Sequence, residues 1–130
     1  ELASIGFDYY AVMAYHRQME RELQKPRAEV LSIIQQMSRY AVSLVHRPEQ
    51  VLMKLQTVVW ETGEPLPPHE LLRVRAAALS GGAVSMALTP YVEHLYGPAL
   101  VALGAGVPPG TGVTRCTRPP QDSTRSRPII

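Results

Sequence analysis

The sequence is short of cysteine, and this shortage excludes whole classes of site. Cys116 is the single cysteine among 130 residues. The chain therefore has no intrachain disulfide and no pair of thiolates for a zinc site. Because disulfides mark oxidising compartments, the cysteine content gives no indication of such a compartment.

Motifs of catalysis are missing as well. The chain contains no phosphate-binding P-loop, no glycine-rich dinucleotide fingerprint, no zinc-ligand spacing and no Gly-x-Ser-x-Gly elbow. Its histidines are scattered along the sequence: His16, His46, His69 and His94. We therefore predict that the protein is not an enzyme. We also predict no catalytic residue, no cofactor, no metal site and no small-molecule substrate.

The net charge of +2 is too small to indicate a nucleic-acid binder by itself. Eleven arginines stand against two lysines. Arginine is better suited to planar or partly buried ion pairs than to a fully solvated surface. Coding bias would produce the same ratio of arginine to lysine.

Hydrophobic periodicity predicts an all-α fold of four to five helices followed by an extended Pro/Arg-rich tail. The predicted helices span residues 8–25, 26–46, 48–62, 68–79 and 83–103, the last broken near Pro90 and Gly97. The pattern is clearest over 26–46, and Asp8 is a suitable N-cap for the first helix. His16 falls on the apolar stripe of that first helix, where a buried, hydrogen-bonded histidine is expected more often than a ligand.

Composition divides the chain into four parts. They are an amphipathic helical part (1–62), a proline connector (63–68), a helical charge-poor packing region (69–104) and an extended C-terminal tail (105–130). Between Ala76 and Thr114 the only formal charge is Glu93. The apolar run from Ala76 to Val92 is shorter than the ~20 residues of a membrane span. Packing against other subunits is therefore preferred, with lipid contact at 76–107 as an alternative.

Several residues in the helical regions suit a protein interface. Met53 and Trp60 lie seven positions apart on the otherwise polar side of the predicted third helix. Both residue types are enriched at interface centres, although a largely buried helix explains them equally well.

Small residues at every fourth position, among them Gly81 and Ser85, would form a close-packing ridge on a continuous helix. A turn at Ser80-Gly81-Gly82 is the preferred alternative to that ridge. Glu93 and His94 are interpreted as a polar pair at an interface rather than as a proton relay, because adjacent helical positions do not face one another.

The tail carries arginine and proline with little opposing charge. Its arginines are Arg115, Arg118, Arg125 and Arg127. Such segments dock on acidic protein grooves or lie along RNA phosphates, and no aromatic residues are interleaved to favour RNA. Docking on protein is the preferred interpretation.

These features predict a non-catalytic accessory subunit of a large multiprotein assembly, set at an organellar, energy-transducing membrane. The chain begins at Glu1 rather than Met, so we expect a processed or truncated product, or a chain with further residues before Glu1. The expected location is intracellular, at a mitochondrial or other organellar membrane. The alternatives are a ribosomal or other RNA-associated protein and a viral coat or scaffold component. The candidate interface residues are Met53, Trp60, Gly81, Ser85, Glu93, His94, Arg115, Arg118, Arg125 and Arg127.

Overall fold

The computed structural model describes residues 2–90, which form a three-stranded β-sheet with helices packed on it. The strands are β1 (Tyr10–Ala14), β2 (Val51–Gln56) and β3 (Ser85–Thr89). The helices are α1 (His16–Leu23), α2 (Arg27–Ser43) and α3 (Pro68–Gly81), with short 3-10 helices at Leu2–Ile5 and Pro48–Gln50. This mixed α/β architecture shows that the predicted all-α fold class is wrong.

The three strands are parallel and lie in the order β1-β2-β3. Tyr10 lies opposite Val51, and Leu52 lies opposite Ser85. Parallel neighbours need long crossover connections, which α1 with α2 and then α3 supply. Because consecutive crossovers of one hand return on the same side of a sheet, α2 and α3 lie together and make the most extensive helix–helix contact of the described residues.

The core lies between the sheet and this helical layer. Side chains alternate along a strand, so one set from each strand faces α2 and α3. The main core residues are Ala14, Val30, Ile34, Val51, Met53, Leu55, Val74, Ala78, Ala83 and Met86. The central strand β2 is buried along nearly its whole length, as expected for a strand with neighbours on both sides.

A close approach of α2 to α3 is made possible by Gly81. A Cβ atom at this position would lie 2.3 Å from the backbone oxygen of Gln35 and 2.5 Å from Cβ of Ser38. The buried Ser38 hydroxyl donates to the Ala78 carbonyl at 2.6 Å and accepts from the Ala83 amide at 3.1 Å. These contacts fasten the end of α3 to the middle of α2.

Two of the predicted helices have the wrong boundaries or the wrong type. Residues 8–25 contain β1 followed by the short helix α1, so Asp8 precedes a strand and caps no helix. Residues 48–62 contain a single 3-10 turn and then β2, not one α-helix. A short strand that is apolar on both faces has no clear period of two, and its sequence therefore resembles a stretch of buried helix.

The end of the described chain also differs from the prediction. Gly82, with φ of +110°, ends α3 in the left-handed conformation, and β3 follows. The continuous small-residue ridge therefore does not form. The alternative, a turn at Ser80-Gly81-Gly82 between two helices, is right only in part, because Ser80 and Gly81 belong to α3 and the chain continues into a strand. The helices predicted over 26–46 and 68–79 are confirmed as α2 and α3. The remainder of the predicted helix 83–103 and the tail 105–130 lie outside the described residues.

Candidate functional site

The carboxyl ends of parallel strands form the usual ligand-binding edge of an open α/β sheet. At this edge His16 comes shortly after β1, Gln56 ends β2 and Thr89 ends β3. Gln56 is buried, and its amide group donates to the carbonyl of Val58 at 2.8 Å. Because polar side chains gather at the carboxyl ends of the strands, this end of the sheet is the first candidate for a site.

A cluster of charged groups centred on Glu70 lies beside this edge. Glu70 is only 3% exposed. Its Oε1 accepts from His16 Nε2 at 2.6 Å and from Arg17 Nε at 2.6 Å. Its Oε2 accepts from Arg17 Nη2 at 2.9 Å and lies 2.9 Å from Arg27 Nη1. We call His16, Arg17, Glu20, Arg27 and Glu70 the Glu70 cluster.

The Glu70 cluster joins all three helices. Arg27, the first residue of α2, also donates from Nε and Nη2 to the two oxygens of Glu20 on α1, at 2.5 and 3.2 Å. Glu70 lies in the first turn of α3, where the helix dipole favours a negative charge. The cluster therefore fixes the relative positions of α1, α2 and α3 through charge-assisted hydrogen bonds.

The electrostatic environment keeps Glu70 ionised. Burial by itself would raise the pKa of Glu70. The hydrogen bonds from Arg17 and His16, together with the positive charges of Arg27 and Arg17, outweigh that effect and lower the pKa to about 2. The carboxylate therefore accepts hydrogen bonds at neutral pH and donates none.

His16 is fully buried, and its burial lowers the pKa of its imidazole despite the hydrogen bond with Glu70. The ring is thus neutral at neutral pH. Because an ionised carboxylate can only accept, the 2.6 Å contact places the proton of the ring on Nε2. Nδ1 has no hydrogen-bond partner among the described residues. The prediction that His16 is buried and hydrogen-bonded is confirmed.

The geometry leaves the Glu70 cluster little capacity for chemistry. Both oxygens of Glu70 are already occupied, and the guanidinium groups of Arg17 and Arg27 are paired with carboxylates. Within residues 2–90, no group of three or more His, Cys, Asp or Glu side chains could hold a metal ion. The charged groups of the cluster therefore interact mainly with one another, and these interactions hold the helices in place.

A shallow, open groove of about 570 Å³ adjoins the Glu70 cluster. It is lined by Arg17, Glu20, Arg21, Val59 and Glu61. An ion pair joins Arg21 to Glu61, so cationic and anionic groups are balanced within the groove. The lining therefore shows no preference for a ligand of either charge.

A second surface lies along β1. Phe7, Tyr9 and Met13 are 61%, 61% and 62% exposed, and Ala11 between them is exposed as well. Phe7, Tyr9 and Ala11 line one shallow depression together with Asp8. Ala11 and Met13 project from the sheet face opposite the helices, because Val12 and Ala14 belong to the core on the other face. We call Phe7, Tyr9, Ala11 and Met13 the β1 patch.

The structure places the candidate interface residues on separate elements. Met53 is in β2 and fully buried in the core, so it shares no surface with Trp60. Trp60 follows β2, is 37% exposed, donates from its indole to Gln18 Oε1 at 3.1 Å, and packs edge-to-face against Tyr15 at 5.4 Å between ring centroids.

The other candidate residues do not join them. Gly81 ends α3 against α2, and Ser85 begins β3, where its hydroxyl donates to the Glu49 carbonyl at 3.4 Å. The remaining candidates lie outside the described residues: Glu93, His94, Arg115, Arg118, Arg125 and Arg127. The structure thus brings none of the described candidates into one site.

The sequence did not predict the Glu70 cluster or the β1 patch. Arg17 and Glu70 are 53 positions apart, so no local spacing connects them. The one available signal was the excess of arginine over lysine, which suits partly buried ion pairs. The β1 patch was missed because residues 8–25 were assigned to a helix, on which Ala11 points away from Tyr9 and Met13; only a strand places all three on one face.

No family model matches the sequence, and comparison with curated proteins and with solved structures gave no match.

Proposed function

We propose that this protein is a non-catalytic accessory module of a larger protein assembly, which contacts a neighbour through the β1 patch. The observation that carries the proposal is the exposure of three large apolar side chains, Phe7, Tyr9 and Met13, on one edge of the sheet. Contiguous exposed apolar surface of this kind is characteristic of protein–protein contact sites.

The position of the patch strengthens this argument. β1 is an edge strand of the described sheet, and edge strands offer backbone groups to a further strand. Soluble proteins commonly protect such edges with lysine, proline or a bulge. The five paired positions of β1 contain none of these devices. A neighbouring protein chain that covers the patch would provide the missing protection.

The Glu70 cluster fits the same proposal. Its side chains are engaged with one another and hold α1, α2 and α3 in fixed positions behind the sheet. A rigid support is what a binding surface requires, since it reduces the entropy lost on association. The cluster therefore contributes to function as a support for the sheet.

Site-specific photo-crosslinking tests the proposal. A benzophenone amino acid is introduced at Tyr9 or at Met13, and the protein is irradiated in the cells that produce it. Tyr40, which is 67% exposed on α2, is the matched control position. We expect one covalent adduct of the same mass from both patch positions and none from Tyr40. The proposal fails if the patch positions give no adduct, or only the adducts that Tyr40 gives.

The RNA-associated alternative depends on the tail. Residues 2–90 carry nine Lys or Arg against eight Asp or Glu, so this part of the chain has almost no excess of positive charge to attract RNA. This alternative predicts that RNA binding weakens steeply with salt and is lost when the four tail arginines, Arg115, Arg118, Arg125 and Arg127, are replaced by glutamine. A viral coat or scaffold component is a further alternative, and it too would use exposed apolar surface to contact neighbouring subunits. The organellar membrane location stays a prediction. Among residues 2–90, no helix is long and apolar enough to cross a membrane.

A further inference from the structure

We propose that a second copy of this chain covers the β1 patch, with the two β1 strands paired antiparallel across a two-fold axis. This inference rests on the proposed function, since it takes the same patch as the assembly surface and names the neighbour that binds it. The pairing would join two three-stranded sheets into one six-stranded sheet.

The sequence along β1 is suited to pairing with itself. Residues 9–15 read Tyr-Tyr-Ala-Val-Met-Ala-Tyr, without a charge, proline or glycine. The pairing of β1 with β2 is regular over all five positions, so no bulge bends the edge away from a partner. Because no charged residue lies within this segment, two copies can approach without like charges meeting across the interface.

A two-fold axis through Ala11 gives complementary neighbours on the exposed face. Ala11 then lies opposite Ala11 of the second copy, and Tyr9 lies opposite Met13 of the second copy. Sulfur–aromatic contacts of this kind are favourable, and small alanines at the centre let the backbones approach. Asp8 lies opposite Ala14 of the second copy, so the two Asp8 carboxylates stay apart.

The surface available is adequate for a reversible dimer. A large side chain presents roughly 200 Å², so Phe7, Tyr9 and Met13 offer about 350 Å² per copy at their observed exposure. The backbone edge of β1 adds to this area, but edge pairing covers only part of side chains that project from the sheet face, so the total for two copies stays at or below the ~1,000 Å² of the smaller specific interfaces. Interfaces of this size belong to weak, transient association, so we expect a reversible dimer that dissociates in the micromolar range or above.

Charge exchange at Ala11 tests the pairing in the full 130-residue chain. Ala11→Glu and Ala11→Lys each place two like charges opposite one another at the axis, and each is expected to weaken dimerisation at least ~10-fold. An equimolar mixture of the two variants places opposite charges there and restores the dimer. Sedimentation velocity over a concentration series measures the mass, which for the dimer is twice 14.3 kDa. The matched control is Ala76→Glu, an exposed alanine on α3, which should dimerise like the unmodified chain.

Disulfide crosslinking between two copies provides a second test, in case a charged variant does not fold. On a Cys116→Ser background, Ala11→Cys should form a covalent dimer under mild oxidation, whereas Ala76→Cys should not. The inference is overturned if the unmodified chain stays monomeric at hundreds of micromolar, if Ala11→Glu dimerises unchanged, if the mixture stays monomeric, or if the two cysteine variants crosslink equally.

The outcomes also separate this inference from the proposed function. A monomeric chain whose Tyr9 crosslinks to a different protein overturns the inference and supports the proposed function. A dimeric chain whose crosslinked adducts all have the mass of two copies supports the inference and removes the evidence for a larger assembly. A monomeric chain without patch adducts overturns both.

Discussion

Glu70 accepts a hydrogen bond of 2.6 Å from His16, although 54 positions separate the two residues in the sequence. This contact joins the first turn of α3 to the start of α1, at the edge where the strands end. Arg17 and Arg27 add charge-assisted hydrogen bonds to the same carboxylate. The stability of the helical layer therefore depends strongly on a single buried acid.

Replacing Glu70 by glutamine is expected to destabilise the protein by ~3 kcal/mol, because it leaves Arg17 and Arg27 without their shared counter-charge beside a buried histidine. Urea unfolding followed by circular dichroism measures the loss. The matched control is Glu29→Gln, which breaks an exposed ion pair with Lys25 and removes a negative charge from the first turn of α2, and it should cost less than ~1 kcal/mol. Equal effects of the two substitutions would contradict the central role of Glu70.

The pH dependence of stability follows from the same carboxylate. Its pKa is lowered from 4.5 to about 2 on folding, so the folded state prefers the ionised form. The stabilisation is complete above pH 4.5 and is lost as the pH falls from 4.5 towards 2, with a total of ~3 kcal/mol. Urea unfolding at a series of pH values should show this decline. Glu70→Gln should remove most of it, and an unchanged slope in that variant would refute the assignment.

His16 adds a second, separable window. Because burial lowers the pKa of its imidazole below 6.5, the folded state prefers the neutral ring. The corresponding stabilisation is therefore present above pH 6.5 and begins to be lost below it. Long-range proton–nitrogen correlation spectra at neutral pH should show the proton of His16 on Nε2. A spectrum with the proton on Nδ1 alone would contradict the hydrogen bond to Glu70, and one with both nitrogens protonated would contradict the lowered pKa.

The sequence was sufficient to predict α2 and α3 but not the sheet. Apolar residues recur with a period of 3.6 along the seventeen residues of α2, and a pattern that is sustained over this length indicates a helix. β1 and β2 are only five and six residues long, and β2 is buried on both faces. Strands of this kind show no alternation, so periodicity assigned them to helices. Their identity depends on long-range pairing, which a single sequence does not display.

The candidate sites were harder to predict than the fold. The Glu70 cluster needs the sheet topology to bring the start of α1 next to the start of α3, and with β1 and β2 assigned to helices that proximity could not be inferred. Gly81 is an instructive intermediate case. The ridge predicted from its small size does not form and was the less favoured interpretation, yet Gly81 does pack closely, against α2 of the same chain at Ser38.

Gly81→Ala is expected to destabilise the protein by ~3 kcal/mol, because the new methyl group would lie 2.3 Å from the backbone oxygen of Gln35. The nearest atom belongs to the backbone, so no flexible side chain can move aside to relieve this contact. Thermal or urea unfolding measures the effect. Ser80→Ala on the exposed side of the same helix is the control and should stay within ~0.5 kcal/mol of the parent. A neutral or stabilising Gly81→Ala would show that α2 and α3 are not in close contact.

Ser38 provides the last test, because it separates hydrogen bonding from packing at the same contact. Ser38→Ala keeps the small side chain but removes the hydroxyl that donates to the Ala78 carbonyl and accepts from the Ala83 amide. Two buried backbone groups then lose a partner, and we expect a loss of ~1–3 kcal/mol. The amide of Ala83 should also exchange faster with solvent deuterium, because its acceptor is gone. Ser43→Ala, whose hydroxyl bonds an exposed carbonyl of the same helix, should leave both measurements nearly unchanged. If Ser38→Ala behaves like Ser43→Ala, the junction of α2 and α3 depends on close packing at Gly81 alone.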